Sequence, residues 1–130
     1  MKEYASDLIR NIAVLSHDGA GKTAVVESLL LACGAVDAVG TGQDNKHIMD
    51  FEPEEIKRNV TIQLGIAPCE WEGYKLNFID TPGYSEFCGE VRAALRASDG
   101  ILLVVSAESG VEMDTERAWG YGVELQLPRM

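Results

Sequence analysis

Residues 16–23, which read Ser-His-Asp-Gly-Ala-Gly-Lys-Thr, restrict the possible folds more than any other segment. They fit the pattern G-x-x-x-x-G-K-[ST] except at the first position, where Ser16 replaces glycine. The apolar run 11–15 precedes them and helical spacing of apolar residues follows, so the local order is strand, loop, helix. Such a loop can bind phosphate through converging backbone N–H groups, the helix N-terminus and the Lys22 ammonium, and it can bind magnesium through the Thr23 hydroxyl. We predict a phosphate-binding loop; the alternative is a glycine-rich turn that binds nothing.

The remaining patterns predict alternating helices and strands. First come a helix over 22–33, ended by Gly34, and a loop over 35–59. A hairpin follows: a strand with Val60, Ile62, Leu64 and Ile66 on its buried face, a turn at Glu72-Gly73 and a strand over 74–79. The last elements are a helix with Phe87, Val91, Ala94 and Leu95, a buried strand over 101–105, and a helix from about Asp114 with Ala118, Tyr121 and Leu125 on one side. This order predicts an α/β fold of the P-loop NTPase class, with an open, mostly parallel sheet and one antiparallel hairpin strand.

The C-terminal residues 127–130 follow the last helix without a recognisable returning strand. A crossover helix normally leads back into the sheet. We therefore expect a domain truncated before its last strands, with a sheet edge through which the chain could self-associate.

Asp80 is the second candidate for phosphate chemistry. It ends the buried strand over 74–79, and a carboxylate there, beside the first strand, would lie under a magnesium ion and could hold it through water. The alternative for Asp80-Thr81-Pro82-Gly83 is an ordinary strand-ending turn.

Four blocks occur in a fixed order: residues 17–23, Arg58-Asn59-Val60-Thr61-Ile62, Asp80-Thr81-Pro82-Gly83, and Ser106-Ala107-Glu108-Ser109-Gly110-Val111. Together they resemble the GTPase domain of elongation factor G, especially its divergent paralogues. The resemblance runs in register along nearly the whole chain, so that residues 1–130 are expected to form the N-terminal part of a translational-type GTP-binding domain.

The resemblance implies a role for particular residues. Asp18, Gly19, Ala20, Gly21, Lys22 and Thr23 would bind GTP or GDP, Thr23, Thr61 and Asp80 would hold Mg²⁺, and the Gly83 N–H would sense the terminal phosphate. The long loop before Thr61 would be ordered by triphosphate and released by diphosphate. Thr61 could also be an ordinary strand residue.

Two positions and one missing motif depart from the family pattern. Tyr84 stands where most translation GTPases carry the histidine that positions the attacking water, and a phenol is a poor proton acceptor at pH 7. Gly19 replaces a frequent aspartate. No Asn-Lys-x-Asp block is present, so guanine specificity depends on the resemblance. Tyr84 and Lys22 are the candidate catalytic residues, whereas His17 is expected to be structural and His47 solvated.

Function is therefore expected to be GTP hydrolysis on the ribosome, driving translocation or another ribosome-remodelling step. The alternatives are a hydrolysis-impaired GTP-binding switch, release-factor removal or ribosome protection, and an unrelated phosphate-loop ATPase or kinase. The net charge of −10 argues against nonspecific nucleic-acid binding. The absence of a long apolar run predicts no membrane partner and a cytoplasmic location. Cys33, Cys69 and Cys88 form no C-x-x-C pair and are expected to be reduced and structural.

Overall fold

The computed structural model describes residues 2–39, 49, 52–58, 60–83 and 87–130, with the side chain of Arg58 excepted. The described part begins with a short 3₁₀ turn at Ser6–Leu8. The elements that follow are β1 (Ile9–Leu15), α1 (Lys22–Ala32), α2 (Pro53–Arg58), β2 (Gly65–Trp71), β3 (Tyr74–Asp80), α3 (Cys88–Arg96), β4 (Gly100–Leu103) and α4 (Met113–Glu124).

The strands form one sheet in the order β2-β3-β1-β4. Strand β1 pairs in parallel with both β3 and β4, and β2 pairs antiparallel with β3. The hairpin turn contains Glu72 at φ 47° and Gly73 at φ 87°, the positive dihedrals that a tight two-residue hairpin turn favours. The predicted α/β class with one antiparallel hairpin strand is confirmed.

Helices cover both faces of the central strands. Because side chains alternate along β1, Ala13 and Leu15 enter a cluster with α3 and α4, whereas Val14 enters a second cluster with α1. Val91, Ala94 and Leu95 of α3 are buried as predicted, and so is Ala118 of α4. Leu125, which was predicted to share one side of the last helix with Ala118 and Tyr121, is 44% exposed. The helix ends at Glu124, before Leu125 could turn inward.

The first strand of the hairpin was predicted too early in the chain and on the wrong face. Strand β2 begins at Gly65, and its buried residues are Gly65, Ala67 and Cys69, while Ile66 is 58% exposed. Ile66 lies opposite Ile79 on one face of the sheet, but β2 is an edge strand. The helix that packs on it is α1, on the other face, where Ala67 and Cys69 join Val26 and Leu30.

The predicted loop over 35–59 contains helix α2. The helix has only six residues, so its sequence is too short to show a helical period. Pro53 begins it, and Glu54 and Glu55 lie in its first turn, where their charge favours the helix N-terminus. His47 lies outside the described residues.

The C-terminal residues do return to the sheet, so the expectation that no segment returns after the last helix is wrong. Met130 N–H donates to the Ile101 carbonyl at 3.0 Å, and Ile101 N–H and Leu103 N–H donate to the Pro128 and Met130 carbonyls at 2.8 Å each. Gln126, at φ 53°, reverses the chain after α4. Residues 128–130 therefore pair in parallel beside β4, and self-association through a sheet edge stays a prediction. Among the described residues, none of the helices has the length and apolar character that crossing a bilayer requires.

Candidate nucleotide-binding site

The parallel pairing of β1 with β3 places the ends of both strands at the phosphate loop. Val14 and Asp80 are register partners, so the carboxylate lies beside the segment that follows β1. Thr23 Oγ1 donates a hydrogen bond to Asp80 Oδ2 at 2.7 Å, and Asp80 is fully buried. Thr81 fixes the same strand end, because its hydroxyl donates to the Val14 carbonyl at 2.7 Å. The predicted proximity of Thr23 and Asp80 is confirmed.

Thr61 also lies beside Thr23. Its Oγ1 lies 3.2 Å from Thr23 Oγ1, so three oxygen donors meet: two hydroxyls and one carboxylate. Neighbouring ligands of an octahedral magnesium ion lie about 3 Å apart, since each lies at roughly 2.0–2.1 Å from the metal. Hard oxygen donors at this spacing fit magnesium. Thr61 precedes β2, so its interpretation as an ordinary strand residue is wrong.

The phosphate loop has the backbone that its glycines predict. Gly19 and Gly21 have φ of 71° and 91°, and Gly21 is the residue that caps α1. Among the described non-glycine residues, positive φ occurs at Glu72 and Gln126 and not at Ser16. The first motif position therefore does not require a left-handed backbone, and serine fits there without backbone strain.

Lys22 is buried and faces the loop. Its Nζ donates to the His17 carbonyl at 2.8 Å, so an approaching phosphate oxygen would compete with that carbonyl. Burial lowers the pKa of Lys22, and the negative charges of Asp80 and Asp18 oppose that shift. An anion at this place would favour the charged ammonium in the same way.

Gly83 packs directly against the loop. A Cβ atom added there would lie 2.6 Å from Lys22 Nζ, 2.7 Å from Asp18 Cα and 2.8 Å from Asp18 N. Two of these contacts are backbone atoms, which cannot turn aside as a flexible side chain can. Glycine is therefore required by close approach. Gly83, the predicted sensor of the terminal phosphate, therefore lies in contact with the loop, whereas Tyr84 lies outside the described residues.

His17 joins the loop to the segment that precedes and begins α4. Its Nδ1 lies 2.9 Å from Thr115 Oγ1, and its Nε2 lies 3.1 Å from Ser109 Oγ and 3.7 Å from Glu112 Oε1. Glu112 and Thr115 also form a reciprocal capping box at the start of α4. Both ring nitrogens are thus engaged by protein groups, which suits a structural role. These partners lie more than ninety residues away in sequence, so no local pattern could identify them.

Glu55 is a site residue that the sequence did not reveal. Its side chain is 2% exposed, and Oε1 accepts hydrogen bonds from Ile62 N–H at 2.9 Å and Gln63 N–H at 3.0 Å. Oε2 accepts from Glu52 N–H at 3.0 Å. The carboxylate therefore holds the backbone immediately after Thr61. The only available signal was a glutamate in a charged segment, which is usually solvated.

The fold and the site together define a phosphate-loop nucleotide-binding protein: a mostly parallel sheet, a glycine loop followed by a helix, and a buried aspartate at the end of the neighbouring parallel strand. The family described as "Elongation factor Tu GTP binding domain" matches residues 7–130. The chain belongs to this family of GTP-binding domains.

Similar proteins support the same assignment. An elongation factor G of Thermotoga neapolitana is 39% identical over 124 residues, covering 95% of this chain and 18% of the relative. An elongation factor G 2 of Geobacter metallireducens is 40% identical over 130 residues, covering 100% of this chain and 19% of the relative. The chain thus spans about a fifth of the length of these relatives. The resemblance to elongation factor G is confirmed.

Solved structures show the same fold. A crystal structure of a Thermus thermophilus protein matches with a TM-score of 0.89 and 41% identity, covering 95% of this chain and 19% of the other. A bacterial selenocysteine-specific elongation factor matches with a TM-score of 0.69 at 22% identity, covering 92% of this chain and 18% of the other, which shows the fold alone.

Proposed function

We propose that this chain binds GTP and GDP with Mg²⁺ and, as the N-terminal part of a GTP-binding domain in a longer translation factor, hydrolyses GTP on the ribosome in the cytoplasm. GTP hydrolysis would drive translocation or a related ribosome-remodelling step. One observation carries the nucleotide assignment: the Thr23, Asp80 and Thr61 oxygens meet within 3.2 Å beside the buried Lys22 ammonium.

The residues divide the binding task between phosphate and metal. The backbone of Asp18, Gly19, Ala20 and Gly21 would receive the phosphates at the N-terminus of α1, and Lys22 would neutralise their charge. Thr23 and Thr61 would ligate Mg²⁺ directly, and Asp80 would hold it through a water. When bound, the ion supplies charge neutralisation on the terminal phosphates.

Gly83 would report which nucleotide is bound. Because its backbone lies against Lys22 and Asp18, a terminal phosphate that entered between them would displace it. GDP has no group at that place and would leave the contact intact. Thr61 would respond from the other side, with Glu55 fixing its backbone. The pair would form a two-sided sensor of the terminal phosphate.

Hydrolysis would depend on Lys22, which withdraws charge from the phosphates, and on Tyr84, which would position the attacking water by a hydrogen bond. A phenol cannot accept the water proton readily at pH 7, so slow turnover without the ribosome is expected. Tyr84→His in the intact factor tests this assignment. An increase of about tenfold or more in turnover would show that the native residue limits the chemistry.

The decisive experiment measures phosphate release from GTP by the intact factor with and without ribosomes. A steep rise on adding ribosomes is expected, and Lys22→Ala should abolish it. Retained GTP binding without that rise would remove the hydrolytic function and leave a GTP-binding switch that acts by occupancy. Competition of ATP against GTP checks the base. Displacement of GTP by equal concentrations of ATP would contradict guanine specificity.

A further inference from the structure

A pair of thiols lies on the face of the sheet that α1 covers, away from the phosphate loop. Cys33 follows the last residue of α1, and Cys69 lies on β2 with its side chain directed at that helix. The two Sγ atoms are 3.3 Å apart, and the Cys69 thiol donates to the Cys33 sulfur. A disulfide bond measures about 2.05 Å, so the sulfurs need to approach by only about 1.2 Å.

We propose that Cys33 and Cys69 form an oxidative modification site, at which a peroxide joins α1 to β2 through a reversible disulfide. The site does not depend on nucleotide binding, so it stands or falls separately from the function proposed above. The third cysteine, Cys88, is exposed at the start of α3 and lies in the other packing layer, which makes it an internal reference.

The different surroundings of the two thiols decide which one reacts first. Cys69 is buried, and burial together with its contact to Cys33 raises its pKa to about 12, so it stays protonated at neutral pH. Cys33 is only partly buried and accepts the hydrogen bond. Because the thiolate is the nucleophile and must reach the oxidant, Cys33 is the thiol that a peroxide meets.

The reaction proceeds in two balanced steps. The Cys33 thiolate attacks one oxygen of hydrogen peroxide, forming an S–O bond and breaking the O–O bond, and the released hydroxide takes up a proton to become water. The Cys69 sulfur then attacks Cys33 Sγ, forming the S–S bond, and the departing hydroxide takes the Cys69 proton. Two thiols lose two electrons, and the peroxide is reduced to two waters.

The link would change how the domain holds the segment between the two cysteines. That segment includes α2 and Thr61, and the disulfide would close it into a loop of about 35 residues. A cross-link of this loop length restricts the unfolded chain, so the oxidised domain should melt roughly 5–10 °C higher than the reduced one.

The test treats the purified protein with hydrogen peroxide, digests it without reductant and identifies linked peptides by mass spectrometry. A peptide pair joined through Cys33 and Cys69, lost on adding dithiothreitol, is expected. Cys88→Ser should form it equally well, and Cys33→Ser should not form it. In Cys69→Ala, the intermediate has no second thiol, so dimedone should label Cys33 as a sulfenic acid.

Two outcomes would overturn the proposal. One is oxidation of Cys88 while Cys33 and Cys69 remain free thiols; the other is oxidation of Cys33 to a sulfinic acid in the native protein without any link to Cys69. Circular dichroism of each variant before treatment shows that it is folded. If Cys69→Ala does not fold, Cys33→Ser and Cys88→Ser still decide the pairing.

Discussion

Two sides of the candidate site are built in different ways. Asp80 belongs to a strand whose backbone is paired on both edges, with Val14 on one side and Gly65 on the other. Thr61 belongs to residues 60–64, which lie outside any strand, and a single carboxylate, Glu55, holds the backbone that follows it. One donor is therefore fixed by the sheet, whereas the other is docked by side-chain hydrogen bonds.

The largest effect is expected from the side that the sheet fixes. Asp80→Ala removes the acceptor of the Thr23 hydroxyl and the group proposed to support magnesium. Magnesium-dependent nucleotide affinity in the intact factor should fall by about 10- to 100-fold, as it does when an outer-shell partner is lost. Titration calorimetry at several magnesium concentrations measures it. Asp80→Asn keeps an acceptor for Thr23 and should lose less; equal affinity for all three proteins would refute the assignment.

Gly83→Ala should have the next largest effect. The new methyl group meets backbone atoms of Asp18 within 2.8 Å, so the two segments must separate, at a cost of about 1–3 kcal/mol. Thermal unfolding should show a Tm lower by several degrees. Saturating GTP should shrink the difference if the terminal phosphate itself displaces Gly83. Gly89→Ala is the matched control, because a Cβ there meets no atom within 4 Å. A Tm of Gly83→Ala equal to that of the control would contradict the tight contact.

Glu55→Gln tests the docked side. The amide keeps one acceptor oxygen but presents an NH₂ group at the other position, so either Glu52 N–H or the pair Ile62 N–H and Gln63 N–H loses its acceptor, at roughly 1–2 kcal/mol for each hydrogen bond. Hydrogen exchange should quicken at residues 61–64 while β3 keeps its protection. Glu116→Gln removes the same charge from an exposed position in the first turn of α4 and should leave exchange at residues 61–64 unchanged. Uniform acceleration over the domain would show that the segment does not open separately.

Ser16→Gly should have the smallest effect. It restores the usual first residue of the loop motif, yet Ser16 has no positive φ that glycine would relieve. Nucleotide affinity should remain within about twofold, and the free energy of unfolding should fall by no more than about 1 kcal/mol, because glycine gains backbone freedom when unfolded. A clear gain in affinity on titration would mean that the serine obstructs the phosphates.

The half of the site on the sheet could be predicted, and the docked half only in part. Lys22, Thr23 and Asp80 are placed by a motif and by strand ends, and parallel pairing brings strand ends together in any sheet of this kind. Thr61 was named only through the family resemblance, and the strand expected around it begins later, at Gly65. Glu55 was missed, since a buried carboxylate and a solvated one look alike in a short charged segment.

By itself, the sequence determined the α/β class, most of the strands and helices, and the candidate phosphate loop, because these follow from local periodicity and from a local motif between a strand and a helix. Tertiary structure decided which face of β2 is buried, how His17 reaches Thr115 and how Cys33 meets Cys69. Such contacts join residues distant in sequence, and they depend on which helix covers which strand, a choice that packing of the whole domain makes.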